Sequence, residues 1–127
     1  MTTVAMLIDS HCHLDRLDLT AYNGCLDTAL QAARERGVWH FLCIGISVEN
    51  APIVRAFTER YVDVDCSVGV HPLDLSRGSE PTMQWLLDEL QHPGVVAVGE
   101  TGLDYHYQSE AAQMQQDSFR LHLEAAR

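Results

Sequence analysis

Four short stretches in which β-branched or apolar residues run almost without interruption, Val4 to Ile8, Val38 to Ile44, Val64 to Val70 and Val95 to Val98, alternate with segments of helical periodicity. A continuous apolar run, unlike an alternating one, marks a strand buried on both faces, the usual condition in a parallel sheet covered by helices. The first helical pattern places Tyr22, Cys25, Leu26, Ala29, Leu30 and Ala33 at three- and four-residue spacing, with Arg34 and Arg36 in its last turn and Gly37 just beyond. A second carries Ile53, Val54, Phe57 and Tyr61; a third carries Met83, Leu86, Leu87 and Leu90, with Ser79 as its cap and Pro93-Gly94 as its stop. The fourth runs from Ser109 onward and predicts one face made of Phe119, Leu123 and Ala126. The order β-α-β-α-β-α-β-α calls for parallel pairing through right-handed crossovers. Periodicity leaves two architectures open, a doubly wound open sheet and part of a barrel. No G-x-G-x-x-G turn follows the first strand, which weighs against a dinucleotide-binding sheet.

Composition narrows the partners. In 127 residues, 18 acidic groups stand against 8 Lys plus Arg, a formal charge of −10, so the chain has no cationic surface with which to grip nucleic acid or an anionic membrane. A phosphate partner would need positive charge from elsewhere. No apolar run approaches the roughly 18 residues of a spanning helix, and Met1 to Ser10 lacks the basic start and small-residue cleavage site of a signal peptide. The expectation is a cytoplasmic protein with no membrane partner. Cys12, Cys25, Cys43 and Cys66 include no C-x-x-C pair, so they are expected to be reduced, largely buried thiols and not a zinc ribbon or redox site.

The reactive side chains fall at strand ends. After the first strand comes Asp9-Ser10-His11-Cys12-His13-Leu14-Asp15, in which an extended backbone projects Asp9, His11 and His13 to one side. Two imidazoles so placed can share one divalent ion, with Asp9 and Asp15 able to add oxygen ligands or to fix the ring tautomers. The third strand ends in Gly69-Val70-His71-Pro72 and the fourth in Gly99-Glu100-Thr101-Gly102-Leu103-Asp104-Tyr105. A carboxylate directly after Val95-Val96-Ala97-Val98 would cost several kcal/mol if left unpaired there, and a cation resolves that cost. His71 either contacts substrate or braces its loop with Pro72. Asp104 and Tyr105 either orient Glu100 or line the pocket. His40, His92, His106 and His122 have no partner at ligand spacing and read as structural or solvated. Histidine and carboxylate ligands at the carboxyl ends of parallel strands suit Zn, Mn or Mg and point to a metal-assisted hydrolase. If two ions sit about 3.5–4 Å apart, Glu100 is the natural bridging carboxylate. The ions would also supply the positive charge that an acidic chain needs in order to hold a phosphodiester.

Ile8-Asp9-Ser10-His11-Cys12-His13-Leu14-Asp15, Gly69-Val70-His71-Pro72 and Gly99-Glu100-Thr101-Gly102-Leu103-Asp104-Tyr105, in this order and spacing, resemble the three N-terminal signatures of the TatD family of metal-dependent hydrolases. Gln113, Gln116, Phe119 and Ala125-Ala126 resemble the helix that follows the family's glutamate motif. The resemblance implies an α/β fold, a TIM-like (β/α) barrel, and in characterised members a deoxyribonuclease activity, often 3′ to 5′ exonucleolytic, that depends on divalent metal. It implies that His11 and His13 bind one of two ions (Mg, Mn or Zn), that Glu100 bridges both and serves catalysis, and that His71 lies in the substrate pocket with Asp104 near the glutamate. DNA is the implied substrate.

The family continues into two further histidine-bearing strands and a late aspartate motif, which this chain does not contain. A (β/α)8 barrel takes about 250 residues, so residues 1–127 correspond to the first four βα units, a half barrel with two open edges. The expectation is a truncated chain that binds metal weakly, turns over little and is able to self-associate through its exposed sheet edge. The alternatives are another metal-dependent phosphoesterase, an aminoacyl-ester deacylase, or a half-barrel fragment with no chemistry of its own.

Overall fold

The computed structural model describes residues 5–107 and 109–127. The chain forms one sheet of four parallel strands, β1 (Leu7–Cys12), β2 (Val38–Cys43), β3 (Val64–Val68) and β4 (Val95–Val98), in the spatial order β1-β2-β3-β4. The helices are α1 (Leu26–Glu35), α2 (Ala51–Arg60), α3 (Met83–Glu89) and α4 (Ala112–Ala126). Strand order decides between the two architectures that the periodicity left open. A doubly wound sheet reverses direction at a switch point, whereas four strands laid down in sequence order through crossovers of one hand put every helix on the same face, as in a barrel. The core accordingly lies on one side of the sheet. Leu30 of α1, Val54 of α2 and Leu86 of α3 pack with Phe41, Cys43, Val64, Cys66, Val68 and Val95.

The first strand departs from its sequence reading. Of the predicted stretch, Val4 lies outside the described residues, and the strand runs on to Cys12, so the H-x-H segment begins inside β1 and does not merely follow it. Nor is β1 buried: Leu7 is 50% and Ile8 68% exposed. The apolar run presupposed cover on both faces and a neighbour on both edges, and β1 is an edge strand with β2 alone beside it. The first helix begins at Leu26, Tyr22 belonging instead to a preceding 3-10 turn, and the third is capped by Thr82, whose hydroxyl accepts from the Trp85 N–H, and not by Ser79.

Helix α4 turns a different face inward from the one predicted. Leu123 and Ala126 are exposed and Phe119 half-buried, while Gln115, Ser118 and His122, themselves three and four residues apart, are buried. The buried stripe is polar because it satisfies loop backbone. The Gln115 amide donates to Asp104 O at 2.7 Å and accepts from Asp104 N–H at 2.7 Å. His122 Nε2 accepts from Val70 N–H at 3.0 Å while its Nδ1 donates to Ser118 O at 2.7 Å, which fixes the neutral tautomer. An α4 with Leu in those places would leave buried donors and acceptors unmade, at about 1–3 kcal/mol each.

Two predictions follow from this packing. Leu86→Ala, which empties a fully buried position in α3, is expected to lower the unfolding free energy by about 2–5 kcal/mol in a urea titration. Burial pushes the His122 imidazole below its ordinary 6.5, so the folded state favours the neutral ring. The stability it contributes is complete above that ordinary value and is lost as pH falls below it and the unfolded chain takes up the proton. Between pH 7.5 and 5.5, conditions roughly chosen to lie above carboxylate titration, the wild-type urea midpoint should fall and that of His122→Gln should fall less; equal slopes would contradict this role.

Candidate metal centre

The carboxyl ends of the strands are tied to one another by backbone hydrogen bonds, and these determine where the reactive side chains emerge. Ile44 N–H donates to Cys12 O at 2.9 Å, His71 N–H to Ile46 O at 2.8 Å, Gly99 N–H to Val68 O at 2.7 Å and Glu100 N–H to Gly45 O at 2.8 Å. Gly69 leaves the room this needs: a Cβ there would stand 2.5 Å from Glu100 O and from Gly99 C. On the other flank, buried Leu14 anchors the turn after His13, and Arg16 N–H closes that turn on His13 O at 3.0 Å. Asp15 ties this turn to the start of α2, accepting from Asn50 Nδ2 at 2.8 Å, while Asn50 Oδ1 accepts from Ile46 N–H at 3.1 Å.

This frame brings four of the six sequence-predicted residues together. Glu100 Oε2 lies 3.7 Å from His11 Nε2 and 3.8 Å from His13 Nε2, and Glu100 Oε1 lies 3.8 Å from His71 Nε2. One ligand atom from each of His11, His13 and Glu100 falls within 4.8 Å of the others. Separations of 3.7 and 3.8 Å are too long for hydrogen bonds. They are close to the roughly 3.4 Å expected between two ligands held about 2.0–2.1 Å from one tetrahedral ion. The side chains are only partly shielded, at 55%, 32% and 29% exposure for His11, His13 and Glu100. Two buried atoms close by, His13 Nδ1 and Asp15 Oδ1, make no hydrogen bond among the described residues. The donor set therefore suits a divalent cation.

His71 differs from the other two histidines. Its Nδ1 accepts from Leu73 N–H at 3.1 Å, so a neutral ring carries its proton on Nε2 and presents a donor, not a lone pair, toward Glu100 and the cleft. Its loop is held from behind by the Val70 to His122 hydrogen bond. Asp104 and Tyr105 lie on the loop that leads away from Glu100. Asp104 Oδ1 accepts from the N–H groups of His106 and Tyr107 at 3.0 and 3.2 Å, and the Tyr105 hydroxyl accepts from Gln116 Nε2 at 3.0 Å. Neither side chain lines the cleft at Glu100. Of the remaining histidines, His40 pairs with Asp65 at 2.8 Å and His92 with Glu59 at 3.1 Å.

A cleft of about 310 Å³ opens beside the cluster, lined by His13, Arg16, Ile46, His71, Asp74, Arg77 and Glu100 among others. Arg16 and Arg77 were not singled out by sequence. The available signal was proximity, three residues after His13 and six after His71 in a chain with only eight cationic residues. Arg34, Arg55, Arg60 and Arg120 are engaged with Asp63, Glu89, Asp27 and Asp117 respectively, away from the cleft.

Known proteins resemble this chain in sequence and in fold. The family described as "TatD related DNase" matches residues 8–127. An uncharacterized metal-dependent hydrolase of Buchnera aphidicola subsp. Acyrthosiphon pisum is 35% identical over 126 residues, 94% of this chain and 48% of that protein. A protein of Cronobacter turicensis named 3'-5' ssDNA/RNA exonuclease TatD is 33% identical over 100 residues, 79% of this chain and 38% of that one. The crystal structure of YjjV, a TatD homologue from Escherichia coli K12, superposes with a TM-score of 0.83 at 29% identity, covering 98% of this chain and 48% of YjjV. The chain thus spans about half the length of the relatives it matches, and its four βα units form half of their barrel. It belongs to the TatD family of metal-dependent hydrolases.

Proposed function

We propose that this chain supplies the N-terminal half of a cytoplasmic deoxyribonuclease that removes nucleotides from the 3′ end of DNA with two divalent ions, Mg, Mn or Zn. The observation that carries the reading is the company kept by the ligand cluster: Arg16 and Arg77 line the same cleft as His13, His71 and Glu100, in a chain whose net charge is −10. Guanidinium groups beside carboxylate and imidazole ligands favour an anionic substrate with two adjacent oxygens that can take a bidentate pair of hydrogen bonds, which the non-bridging oxygens of a phosphodiester offer. They favour a phosphate ester over the aminoacyl ester of a deacylase, whose reacting carbonyl is uncharged. The name of the Cronobacter turicensis relative points the same way.

His11 and His13 would hold one ion through Nε2, and Glu100 would span two through its two oxygens. Ions bound there would lower the pKa of water toward neutrality and place positive charge on the phosphoryl oxygens. His71 would donate its Nε2 proton to a non-bridging phosphoryl oxygen, a role consistent with the acceptor duty of its Nδ1. Arg16 and Arg77 would hold the phosphates on either side of the reacting one. Asp104 and Tyr105 would shape the loop along which the strand enters. Three ligands on an open face leave much of the coordination sphere to water, so turnover by residues 1–127 alone should be slow.

Isothermal titration with Mn²⁺ should show binding that His11→Ala weakens at least about tenfold. Incubated with Mn²⁺, whatever hydrolysis the chain performs should release nucleotides from the 3′ end of a single-stranded oligonucleotide, and Glu100→Gln should abolish it. Hydrolysis of an aminoacyl ester without any of the oligonucleotide would sink the nuclease reading. Arg77→Glu should weaken oligonucleotide binding in fluorescence anisotropy about tenfold and leave Mn²⁺ affinity unchanged; loss of both together would mean that Arg77 acts on the fold and not on phosphate.

A further inference from the structure

Arg77 lines the cleft beside His71 and Glu100, yet it stands on an exposed stretch, Ser76 to Glu80, that belongs to no strand or helix. A long side chain on such a stretch loses conformational freedom when it binds a ligand, and it loses less if the backbone beneath it is already fixed. Among the described residues Arg77 forms no ion pair, so its guanidinium keeps its donors for a ligand.

The backbone beneath it is fastened at three points. At the start of the loop, His71 N–H donates to Ile46 O at 2.8 Å. In the middle, Asp74 O accepts from the N–H groups of Arg77 and Gly78, each at 3.1 Å, and Leu75 is buried. At the end, Ser79 N–H donates to Glu49 Oε1 at 2.8 Å. The first and last fastenings both land on residues 46–49, between β2 and α2, so the loop is clamped at its two ends to one neighbouring segment. The clamp lies within the β2–α2 and β3–α3 connections and uses neither open edge of the sheet.

Gly78 shows how closely the Glu49 carboxylate is seated. A Cβ on Gly78 would stand 2.6 Å from Glu49 Oε2 and 3.2 Å from its Cδ, and Gly78 is not among the glycines with positive φ. Room for the carboxylate is therefore what glycine supplies here. The hydrogen bonds from Ser79 hold the Glu49 carboxyl below the ordinary carboxylate range, so it remains an ionised acceptor at neutral pH. An ionised acceptor makes a stronger bond to a backbone N–H than a neutral one does. Glu49 does not itself line the cleft.

We propose that Glu49 is a positioning residue for Arg77: its carboxylate, seated against Gly78 and bonded to Ser79 N–H, fixes the loop 71–79 so that the Arg77 guanidinium is presented to a phosphate beside the metal ligands. The phosphate in this statement rests on the nuclease reading; the ordering of Arg77 by Glu49 does not.

Fluorescence anisotropy with a single-stranded oligonucleotide, at fixed Mn²⁺, and ¹⁵N relaxation of the Arg77 Nε–H test it together. Glu49→Ala removes the carboxylate and Gly78→Ala pushes it aside. Each should weaken oligonucleotide binding about threefold and leave Mn²⁺ affinity and the urea midpoint unchanged. Glu49→Gln, which keeps an acceptor for Ser79 N–H, should recover most of the loss. In an Arg77→Ala background Glu49→Ala should have no further effect, because it acts through that side chain. Without oligonucleotide, Glu49→Ala should lower the order parameter of Arg77 Nε–H. An unchanged order parameter, a loss of binding that persists when Arg77 is gone, or a parallel fall in Mn²⁺ affinity would overturn the proposal. A wild type that binds no oligonucleotide, with Arg77 still losing order in Glu49→Ala, would uphold the positioning role and count against the nuclease reading alone.

Discussion

Everything at the candidate centre depends on how the last peptide groups of the strands bond to one another. The N–H of Glu100 reaches across the sheet to Gly45 O, past β3, where Gly69 offers no side chain to block it. Without that approach the carboxylate would emerge one strand away from the histidines. With it, residues separated by almost ninety positions in the chain, on the order of 50 Å in an unfolded coil, meet within 4.8 Å. The imidazoles and carboxylate are then held by backbone bonds and by a core on the far side of the sheet, with no hydrogen bond joining Glu100 to either ring and only an edge-to-face contact between His11 and His13. This is the condition under which ligands stay poised for a cation instead of collapsing into hydrogen-bonded pairs.

The charge distribution follows the same logic. A chain of net charge −10 would repel a phosphodiester over most of its surface. Three of its arginines form ion pairs that join separate parts of the chain, among them Arg34 to Asp63 at 2.7 and 2.8 Å, and Arg120 pairs with Asp117 within α4. Arg34 holds the Asp63 carboxyl below the usual carboxylate range, as expected of a two-pronged pair. Arg16, whose Nε also lies 3.8 Å from Asp15 Oδ2, and Arg77 lie at the cleft. Arg16 and Arg77 thus put positive charge beside the ligand cluster, in a cleft that Asp74 and Glu100 also line.

Much of this was legible in the residues. Strand and helix order followed from continuous apolar runs and from helical spacing, because both depend on local geometry. His11, His13, His71 and Glu100 stood out because charged or ligating groups directly after buried strands need a reason to be there. Other features needed information that local pattern does not carry. The exposure of β1 depends on what does not sit beside it, and Leu7 and Ile8 look the same in an edge strand as in a central one. The inward face of α4 is not its strongest apolar stripe, which stays exposed or half-buried. Gln115, Ser118 and His122 form an equally regular stripe, and they are buried because the loop backbone at Val70 and Asp104 needs hydrogen-bond partners. The choice between an open doubly wound sheet and a barrel was likewise undecided by periodicity, and the sequential strand order resolves it.

His11, His13 and Glu100 form one candidate cation site at the carboxyl edge of the sheet. Its most direct test is an anomalous-scattering map from crystals of the chain grown with Mn²⁺ or Zn²⁺. The expected result is a peak within bonding distance of His11 Nε2, His13 Nε2 and Glu100 Oε2, with His71 turned toward it but not coordinating. A fully occupied ion bound elsewhere on the chain, with these three side chains hydrogen-bonded among themselves, would contradict it.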